Sequence, residues 1–479
     1  MELLILPFIA ALITFFTNKK SAKIIAVMAS VFQLLMTGLY FFKFDNNGNY
    51  NFVETISWLP SLGISFKIGV DAISLIMILL TNIVVFLTVL PSNISQEEHP
   101  NRFYGLILLM QSALIGVFIS LDGFLFYLFW ELALIPIYFI CAIWGEGQQK
   151  LKITFKFFIY TFAGSLFMLG ALMYLYQFSG NSFDIEMLTK TNLPVSKSYF
   201  ILIAFFIAFA IKMPVFPFHT WQPETYTTAP AQGTMMLSGI MLKMGVYGVI
   251  RWMIPLGSSA LPSLQTIFLL LSIIGIVYGG IIAMRQNDLK KIIAYSSFSH
   301  VGLIAAGAFL FTSNSLQGAL MQSFCHGINI VGLFLAVDII ERRTGSRDIN
   351  KLGGIVKSAP MFSVLFMIVL LGSVAVPLTN GFIGEFVLLN AIYNSNFLWS
   401  IIAGSTVILC AVYMLRIYQL TIFGEVNTKT QFFEDLNYTE FITFGIIAVM
   451  VIFIGIYPNI IFDFLGPTVD KLIITSIMP

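Results

Sequence analysis

The chain has 479 residues, of which 58% are hydrophobic and 10% are charged, and its mean hydropathy is +0.91. A soluble globular domain has about 25% charged residues, so the composition excludes one and predicts a polytopic helical membrane protein. The formal net charge of +2 gives no sign of a nucleic-acid partner.

Apolar runs follow one another along almost the whole chain, and a membrane-spanning helix needs about 20 mostly apolar residues. We predict fourteen spans, at residues 2–17, 23–42, 71–91, 103–120, 123–143, 153–177, 198–218, 229–253, 262–284, 291–312, 316–340, 360–392, 398–423 and 440–462. The chain is therefore expected to form one all-α membrane domain over residues 1–479, with a single sizeable hydrophilic loop at 43–70. The first run lacks a cleavage site and is interpreted as a span, not as a removable leader.

Basic residues are unevenly distributed between the predicted spans. If the spans alternate in direction, seventeen of the 25 Lys and Arg residues fall on one side and six on the other, while Lys212 and Lys243 lie within spans. Because short basic loops stay on the cytoplasmic side, we expect both chain termini to face outward.

The order of the spans suggests an internal repeat. Residues 103–253 and 262–423 each contain five spans, and because five is odd the second copy must be inverted. Residues 1–91 and 440–479 would flank the two copies.

Prolines interrupt the fourth span of each predicted copy, at Pro214 and Pro217 in the first and at Pro377 in the second. A proline removes one backbone hydrogen bond, and the freed carbonyl groups need water or polar side chains. Broken helices at matching places of inverted halves mark the functional site in many transporters. Either break could instead be a simple packing kink.

Six ionisable side chains are placed near mid-span, and they are Glu131, Lys212, Lys243, His300, His326 and Glu385. A lysine at mid-bilayer costs about 2.5–3.5 kcal/mol, so such residues are candidates for an ion or proton pathway. Each is about 8–14 residues from an end of its span, which is roughly 12–20 Å at 1.5 Å per residue. The six are therefore predicted to form a row in the membrane plane, not a wire across it.

Glu131 and Lys212 are predicted to act as a switch. Each would keep the other charged when they are close, and burial would favour the neutral form of both when they separate. A pair whose distance changes would thus alternate between loading and releasing a proton. The alternative is a static ion pair that only specifies how helices pack.

The remaining polar residues favour structural roles. Asp71 and Asp122 are expected at span edges, and Lys290 and Lys291 are interpreted mainly as topology signals. His219, at the cytoplasmic end of the first broken helix, is equally consistent with a structural or a functional role. The three cysteines have no paired spacing and are expected to be small buried hydrophobic residues, not a disulfide or a metal site.

Segments around the mid-span residues resemble the antiporter-like subunits of respiratory complex I, and the resemblance covers nearly the whole chain. The matching segments are FWELALIPIYF, KMPVFPFHTWQPETYTTAP, LSGIMLKMGVYGVIR, DLKKIIAYSSFSHVG and GFIGEF. The resemblance implies a proton-translocating membrane subunit that couples electron transfer from NADH to quinone to proton pumping. It also implies that Glu131 and Lys212 are the coupling pair and that Lys243 is the central lysine.

The same resemblance implies that His300 and His326 connect the central lysine to Glu385, from which a proton would leave outward. Glutamate at position 385, where related chains usually have lysine, favours one particular member of the family. Such a chain would hold no redox site of its own. NAD, FMN, iron–sulfur clusters and quinone would belong to partner subunits, and the direct partners would be other membrane subunits, including neighbouring antiporter-like ones, in a bacterial inner membrane.

Two other functions remain open from the sequence. An Mrp-type sodium/proton antiporter subunit without a redox partner would use the same residues. A structural spacer, whose charges only hold subunits together, would tolerate neutral replacements of the same size.

Overall fold

The computed structural model describes residues 1–92, 99–191 and 193–477. Residues 478 and 479 of the predicted C-terminal flank lie outside these ranges. The described chain is a bundle of helices, with one small sheet on the side opposite to most of the basic residues.

As far as residue 257, the α-helices are, in chain order, α1 (Glu2–Phe16), α2 (Lys19–Lys43), α3 (Ala72–Val89), α4 (Pro100–Ile119), α5 (Gly123–Leu132), α6 (Leu134–Trp144), α7 (Lys150–Tyr176), α8 (Ile185–Thr189), α9 (Val195–Lys212), α10 (Gln222–Thr228), α11 (Ala231–Met236), α12 (Lys243–Gly248) and α13 (Ile254–Gly257). Two π-helical turns, Leu237–Met241 and Val249–Met253, join the last three into one irregular helix, Ala231–Gly257.

The rest of the chain continues with α14 (Leu261–Arg285), α15 (Leu289–Ala308), α16 (Ser313–Thr344), α17 (Pro360–Val374), α18 (Asn380–Ser395), α19 (Phe397–Thr421), α20 (Tyr438–Ile456) and α21 (Asn459–Ile477). Short 3₁₀ turns lie at Pro60–Leu62, Ser258–Ala260, Ile349–Lys351 and Ile355–Lys357.

Eleven helical segments of the described ranges are long and apolar enough to cross a membrane, and α1 and α17 are shorter apolar helices. The helical membrane fold expected from the sequence is therefore confirmed, while the number fourteen stays a prediction. The predicted span 440–462 differs from the structure, in which α20 ends at Ile456 and α21 follows. Pro458 accounts for the break, because the residue before a proline is disfavoured in the α conformation.

The hydrophilic loop contains an antiparallel hairpin that was not predicted from the sequence, formed by β1 (Asn51–Leu59) and β2 (Ile64–Val70). Gly63 closes it with φ 63°, a left-handed conformation that glycine adopts without strain. Lys67 on β2 lies 2.7 Å from Asp184, at the start of α8. The hairpin is thus attached to the helical bundle by an ion pair.

The first predicted break is present, since α9 ends at Lys212 and α10 begins at Gln222. Pro214 offers no N–H, so the backbone cannot continue as a regular helix. The indole Nε1 of Trp221 donates to the carbonyl of Ile211 at 2.9 Å. A side chain thereby satisfies one of the carbonyl groups that the break releases.

The second break separates α17 from α18 around Pro377. Ala375 and Leu378 have φ angles of 61° and 72°, which only a tightly determined chain segment imposes on residues with a Cβ. Cys410 Sγ donates to the carbonyl of Ser373 at 3.4 Å. Here too a neighbouring helix satisfies a released carbonyl.

Two isolated backbone bridges lie at corresponding places of the predicted repeats. Asp122 pairs with Asp184 on one side of the bundle, and Asp288 pairs with Asp348 on the other. Each of the four aspartates caps the N-terminus of a helix. This correspondence supports the inverted repeat, which stays a prediction.

The segments Ala231–Gly257 and α16 form the centre of the bundle, because 100% and 94% of the residues in their apolar 18-residue stretches are buried. In contrast, α2 and α19 are mostly exposed, as lipid-facing helices would be. The two central segments carry Lys243 and His326. The fold therefore places an ionisable residue on each of its two innermost helices.

We expect Gly381→Ala to destabilise the second broken helix. A Cβ at Gly381 would lie 2.1 Å from the carbonyl oxygen of Gly372, across the break between α17 and α18. Overpacking of this kind costs about 1–3 kcal/mol. Thermal unfolding of the detergent-purified protein should show a lower midpoint. Gly404→Ala on α19 is the control, because a Cβ there meets no atom within 4 Å; equal midpoints for the two variants would contradict the close approach.

Candidate functional site

Lys243 begins α12, between the two π-helical turns, and is completely buried. Its Nζ donates to the carbonyl of Ser238, and it lies 2.8 Å from Nδ1 of His326 on α16. When the lysine is charged it can only donate, and Nδ1 then accepts in this contact. Single π turns inside helices occur frequently at functional sites, and these turns place a lysine against a histidine.

His326 and His300 continue the row from Lys243. Their ring centroids are 6.0 Å apart, and Nε2 of His326 has no hydrogen-bond partner among the described residues. His300 Nδ1 lies 2.8 Å from Oε1 of Glu385, at ion-pair distance although outside hydrogen-bond geometry. Both histidines and Glu385 are at least 95% buried. The structure thus brings Lys243, His326, His300 and Glu385 together.

Glu385 lies on α18, one turn after the start of that helix. Its Oε1 accepts a hydrogen bond from Gln322 Nε2 at 3.3 Å, and its Oε2 has no partner within the described chain. Gln322 is one helical turn before His326 on α16. Glu385 Oε2 and His326 Nε2 are thus two buried polar atoms of the row without a hydrogen-bond partner in the described chain, whereas most buried polar atoms in proteins are paired.

Glu131 lies on α5 and is only half-buried, on a face that also exposes Leu128 and Ile135. Ser165 on α7 donates a hydrogen bond to its Oε1. The carboxyl group is therefore held toward the protein interior by a neutral donor while its helix face stays open at the surface of the chain.

Lys212 is the last residue of α9 and is 3% exposed. Its Nζ has no hydrogen-bond partner among the described residues, and it lies 5.5 Å from the ring centroid of Trp130, the neighbour of Glu131. Lys212 and Glu131 are thus close in the fold without an ion pair. An aromatic ring lies on one side of the ammonium, and the role of the two residues as a switch stays a prediction.

Close helix contacts link the two lysines. A Cβ at Gly245 on α12 would lie 2.8 Å from the Cβ of Met213, the residue after Lys212. A Cβ at Gly164 on α7 would lie 2.8 Å from Ile211, the residue before it. The end of α9 is therefore held between α7, which contacts Glu131, and α12, which carries Lys243.

Lys290 is more than a topology signal. Its side chain is 1% exposed, and its Nζ lies 3.1 Å from Glu146 and 3.6 Å from Glu341. Arg347 also contacts Glu146, at 2.9 Å. This charged cluster connects the first predicted repeat to the second on the basic side. The cluster could not be predicted from the sequence, because its members come from three segments that are distant along the chain.

A second missed group is the Arg251 cluster, which consists of Tyr50, Asp71, Tyr247 and Arg251. Arg251 donates to Asp71 in a buried ion pair and to the hydroxyl oxygen of Tyr50 at 3.0 Å. The spacing of Lys243, Tyr247 and Arg251 at four-residue intervals was the available signal, since such residues share a helix face.

His219 lies in the turn between α9 and α10, and its ring is stacked 4.3 Å from that of Phe298. The three cysteines, Cys141, Cys325 and Cys410, are free and buried. Cys410 differs from the expected hydrophobic role, because its Sγ lies 3.4 Å from Nε2 of His300.

The broken helices and the mid-bundle row define a polytopic membrane protein of the antiporter-like class. Residues 120–410 match the family described as "NADH:quinone oxidoreductase/Mrp antiporter, TM". The chain belongs to this family, which confirms the resemblance inferred from the motifs.

Similar proteins include NADH-quinone oxidoreductase subunit M of Rickettsia prowazekii (strain Madrid E), which is 38% identical over 479 residues and covers 98% of this chain and 97% of its own. F(420)H(2) dehydrogenase subunit M of Methanosarcina mazei is 36% identical, covering 96% and 95%.

Among solved structures, a chain of respiratory complex I from Thermus thermophilus with bound NADH has a TM-score of 0.92 and 27% identity, and the match covers 99% of both chains. A chain of the Mrp complex from Dietzia sp. has a TM-score of 0.85 but 18% identity, and 52% of it is covered. The second likeness shows a common fold alone.

We expect Gln322→Leu to destabilise the protein, because it removes the hydrogen-bond donor to Glu385 and leaves a buried carboxyl group with fewer partners. Losing one partner of a buried pair costs about 1–3 kcal/mol. The midpoint of thermal unfolding of the purified protein should fall. Gln317→Leu, on the same helix but bonded to the hydroxyl of Ser313, should have a much smaller effect; similar losses in both variants would argue against a specific contact with Glu385.

Proposed function

We propose that this chain is the M-type proton-translocating subunit of an NADH–quinone oxidoreductase, coupling electron transfer from NADH to quinone to proton pumping. The observation that carries the proposal is the buried series Lys243, His326, His300 and Glu385. The first two groups and the last two groups are each 2.8 Å apart, and the ring centroids of the two histidines are 6.0 Å apart. Groups that bind and release protons at such spacing need at most one bridging water per step.

Glu131 and Lys212 would control loading of this series. When the ammonium of Lys212 approaches the Glu131 carboxylate, both charges are stabilised; when the two groups separate, burial favours release of the lysine proton. The released proton would pass to Lys243, whose helix packs directly against the end of α9. Glu385 would release it on the outer side.

A cavity on the basic side supports proton uptake there. It has a volume of about 720 Å³ and is lined by Glu224 and Thr227 of α10 and by Lys291 and Tyr295 of α15. Further inward, the hydroxyl of Tyr226 faces the side chain of Gln222, and Ser297 Oγ has no hydrogen-bond partner in the described chain. Water at these atoms would extend the path toward mid-membrane.

In this proposal the chain carries no redox cofactor itself. NAD, FMN, iron–sulfur clusters and quinone would lie in partner subunits, and neighbouring antiporter-like subunits would contact the chain within a bacterial inner membrane. From the distribution of basic residues, both termini would face the outer side. Redox energy would reach this chain as a shift of charge in its neighbours.

An Mrp-type antiporter is the second candidate, favoured by the fold shared with the Mrp complex. Native purification of the assembly separates the two candidates. Recovery of iron–sulfur and flavin subunits with this chain supports the redox complex, and recovery with small membrane subunits alone supports the antiporter.

Replacing either member of the coupling pair by a neutral side chain, in Glu131→Gln or Lys212→Met, should abolish most NADH-driven acidification of inverted vesicles. Coupled quinone reduction should fall with it, because the loading step loses its charge. NADH oxidation by an artificial acceptor should survive, since it needs no membrane subunit. Acidification and reduction rates measured on the same vesicles test this.

The matched controls are Asp348→Asn and Lys351→Met, which break an exposed Lys–Asp contact of 3.5 Å on the basic side, outside the uptake cavity. Exposed pairs contribute about 0–1 kcal/mol, so these variants should pump normally. Full pumping in both coupling-pair variants would instead support the structural-spacer function.

A further inference from the structure

A second cavity, also of about 720 Å³, opens on the side opposite to the basic residues. Exposed Glu186, Lys190 and Lys471 line its mouth, and buried Asp71 and Arg251 line its floor. Arg251 is eight residues after Lys243 on the same irregular helix, about 12 Å at 1.5 Å per residue. Water in the cavity therefore comes within about two helical turns of the central lysine.

The Arg251 cluster occupies the space between this cavity and Lys243. Tyr247, one turn from Lys243, donates its hydroxyl proton to the backbone carbonyl of Phe118 at 2.9 Å. The same hydroxyl oxygen accepts from Arg251 Nε at 3.4 Å. Arg251 also donates to Tyr50 and to Asp71, so its guanidinium faces three oxygen atoms.

These hydrogen bonds point the wrong way for outward proton transfer. A proton moves along a chain only if each group can accept on one side and donate on the other. A guanidinium has five donors and no acceptor, and it keeps its charge in proteins. The Tyr247 hydroxyl has a single proton, which is directed to a backbone carbonyl. Its two other neighbours, Arg251 and the buried hydroxyl of Ser74 at 3.1 Å, therefore donate to Tyr247 and do not accept from it. The hydrogen bond that Asp71 accepts from the same guanidinium keeps its carboxylate in an ion pair.

We propose that Arg251 is a positioning residue that seals the outer end of the first repeat, so that a proton on Lys243 can leave only sideways, through His326. This inference rests on the proposed function. It assigns the cluster the role that a donor-only arginine has in other membrane pores, where it interrupts proton passage. The seal is passive and does not change during turnover.

The test uses the complete purified complex reconstituted in proteoliposomes, with an imposed pH gradient and no NADH. Arg251→Gln should accelerate the decay of the gradient by at least about tenfold, the factor that one charge-assisted hydrogen bond supplies. Arg251→Lys, which keeps a charged donor, should stay nearly as tight as the wild type. Lys190→Gln, at the cavity mouth, should not leak.

Because Arg251→Gln leaves Asp71 as an unpaired buried charge, a second variant carries Asp71→Asn as well, which removes both charges of the pair. It should leak like the single variant. Adding Lys243→Met to either should restore a tight membrane, since the leak must pass through Lys243.

The proposal would be overturned if neither Arg251→Gln nor its double variant with Asp71→Asn leaked protons. It would also be overturned if the leak persisted after Lys243→Met, or if Arg251→Lys leaked as fast as Arg251→Gln. NADH-driven acidification by the wild type is recorded in the same proteoliposomes. Its absence would refute the proposed function, whereas the passive leak is measured without any redox step.

Discussion

The bundle is built around one requirement, which is that polar groups far from water must find partners within the protein. The contact between Lys243 and Nδ1 of His326 meets it at the centre, where both side chains are at least 95% buried. The carbonyl of Ser238, within the π turn at Leu237–Met241, also accepts from Nζ. The irregular helix thus supplies a second partner for the lysine from its own backbone.

The ionisable row could be predicted from sequence because each of its members violates the apolar pattern of a span. The broken helices were equally visible, since a proline within an apolar run removes a helical hydrogen bond wherever it stands. In contrast, the separation of Lys212 from Glu131 depends on how α7 and α9 pack around Ser165 and Gly164. Such packing comes from side-chain shape and leaves no periodic signal.

The clusters near the membrane surfaces were hidden for a different reason. Lys290 and Arg251 stand at predicted span ends, where basic residues usually face water and set topology. In the structure both are buried and paired with carboxylates from distant segments. The hairpin lies in the loop that the pattern of spans marks only as a gap, although its strands, NFVETISWL and ISFKIGV, contain the β-branched and aromatic residues that favour strands.

The two predicted repeats differ at the positions that would decide the direction of proton transfer. Lys243 has no ionisable counterpart on α19, where Cys410 contacts His300 instead. Arg251 meets a carboxylate on one side of the bundle, whereas Arg416, at the end of α19 on the basic side, donates to the backbone carbonyl of Met284 at 2.7 Å and to Asn287. Both are donor-only groups, and in an inverted repeat they stand at opposite faces. In the proposed function, one half would thus be closed outward and the other inward, and a proton that entered the first half would have to cross to the second before it could leave.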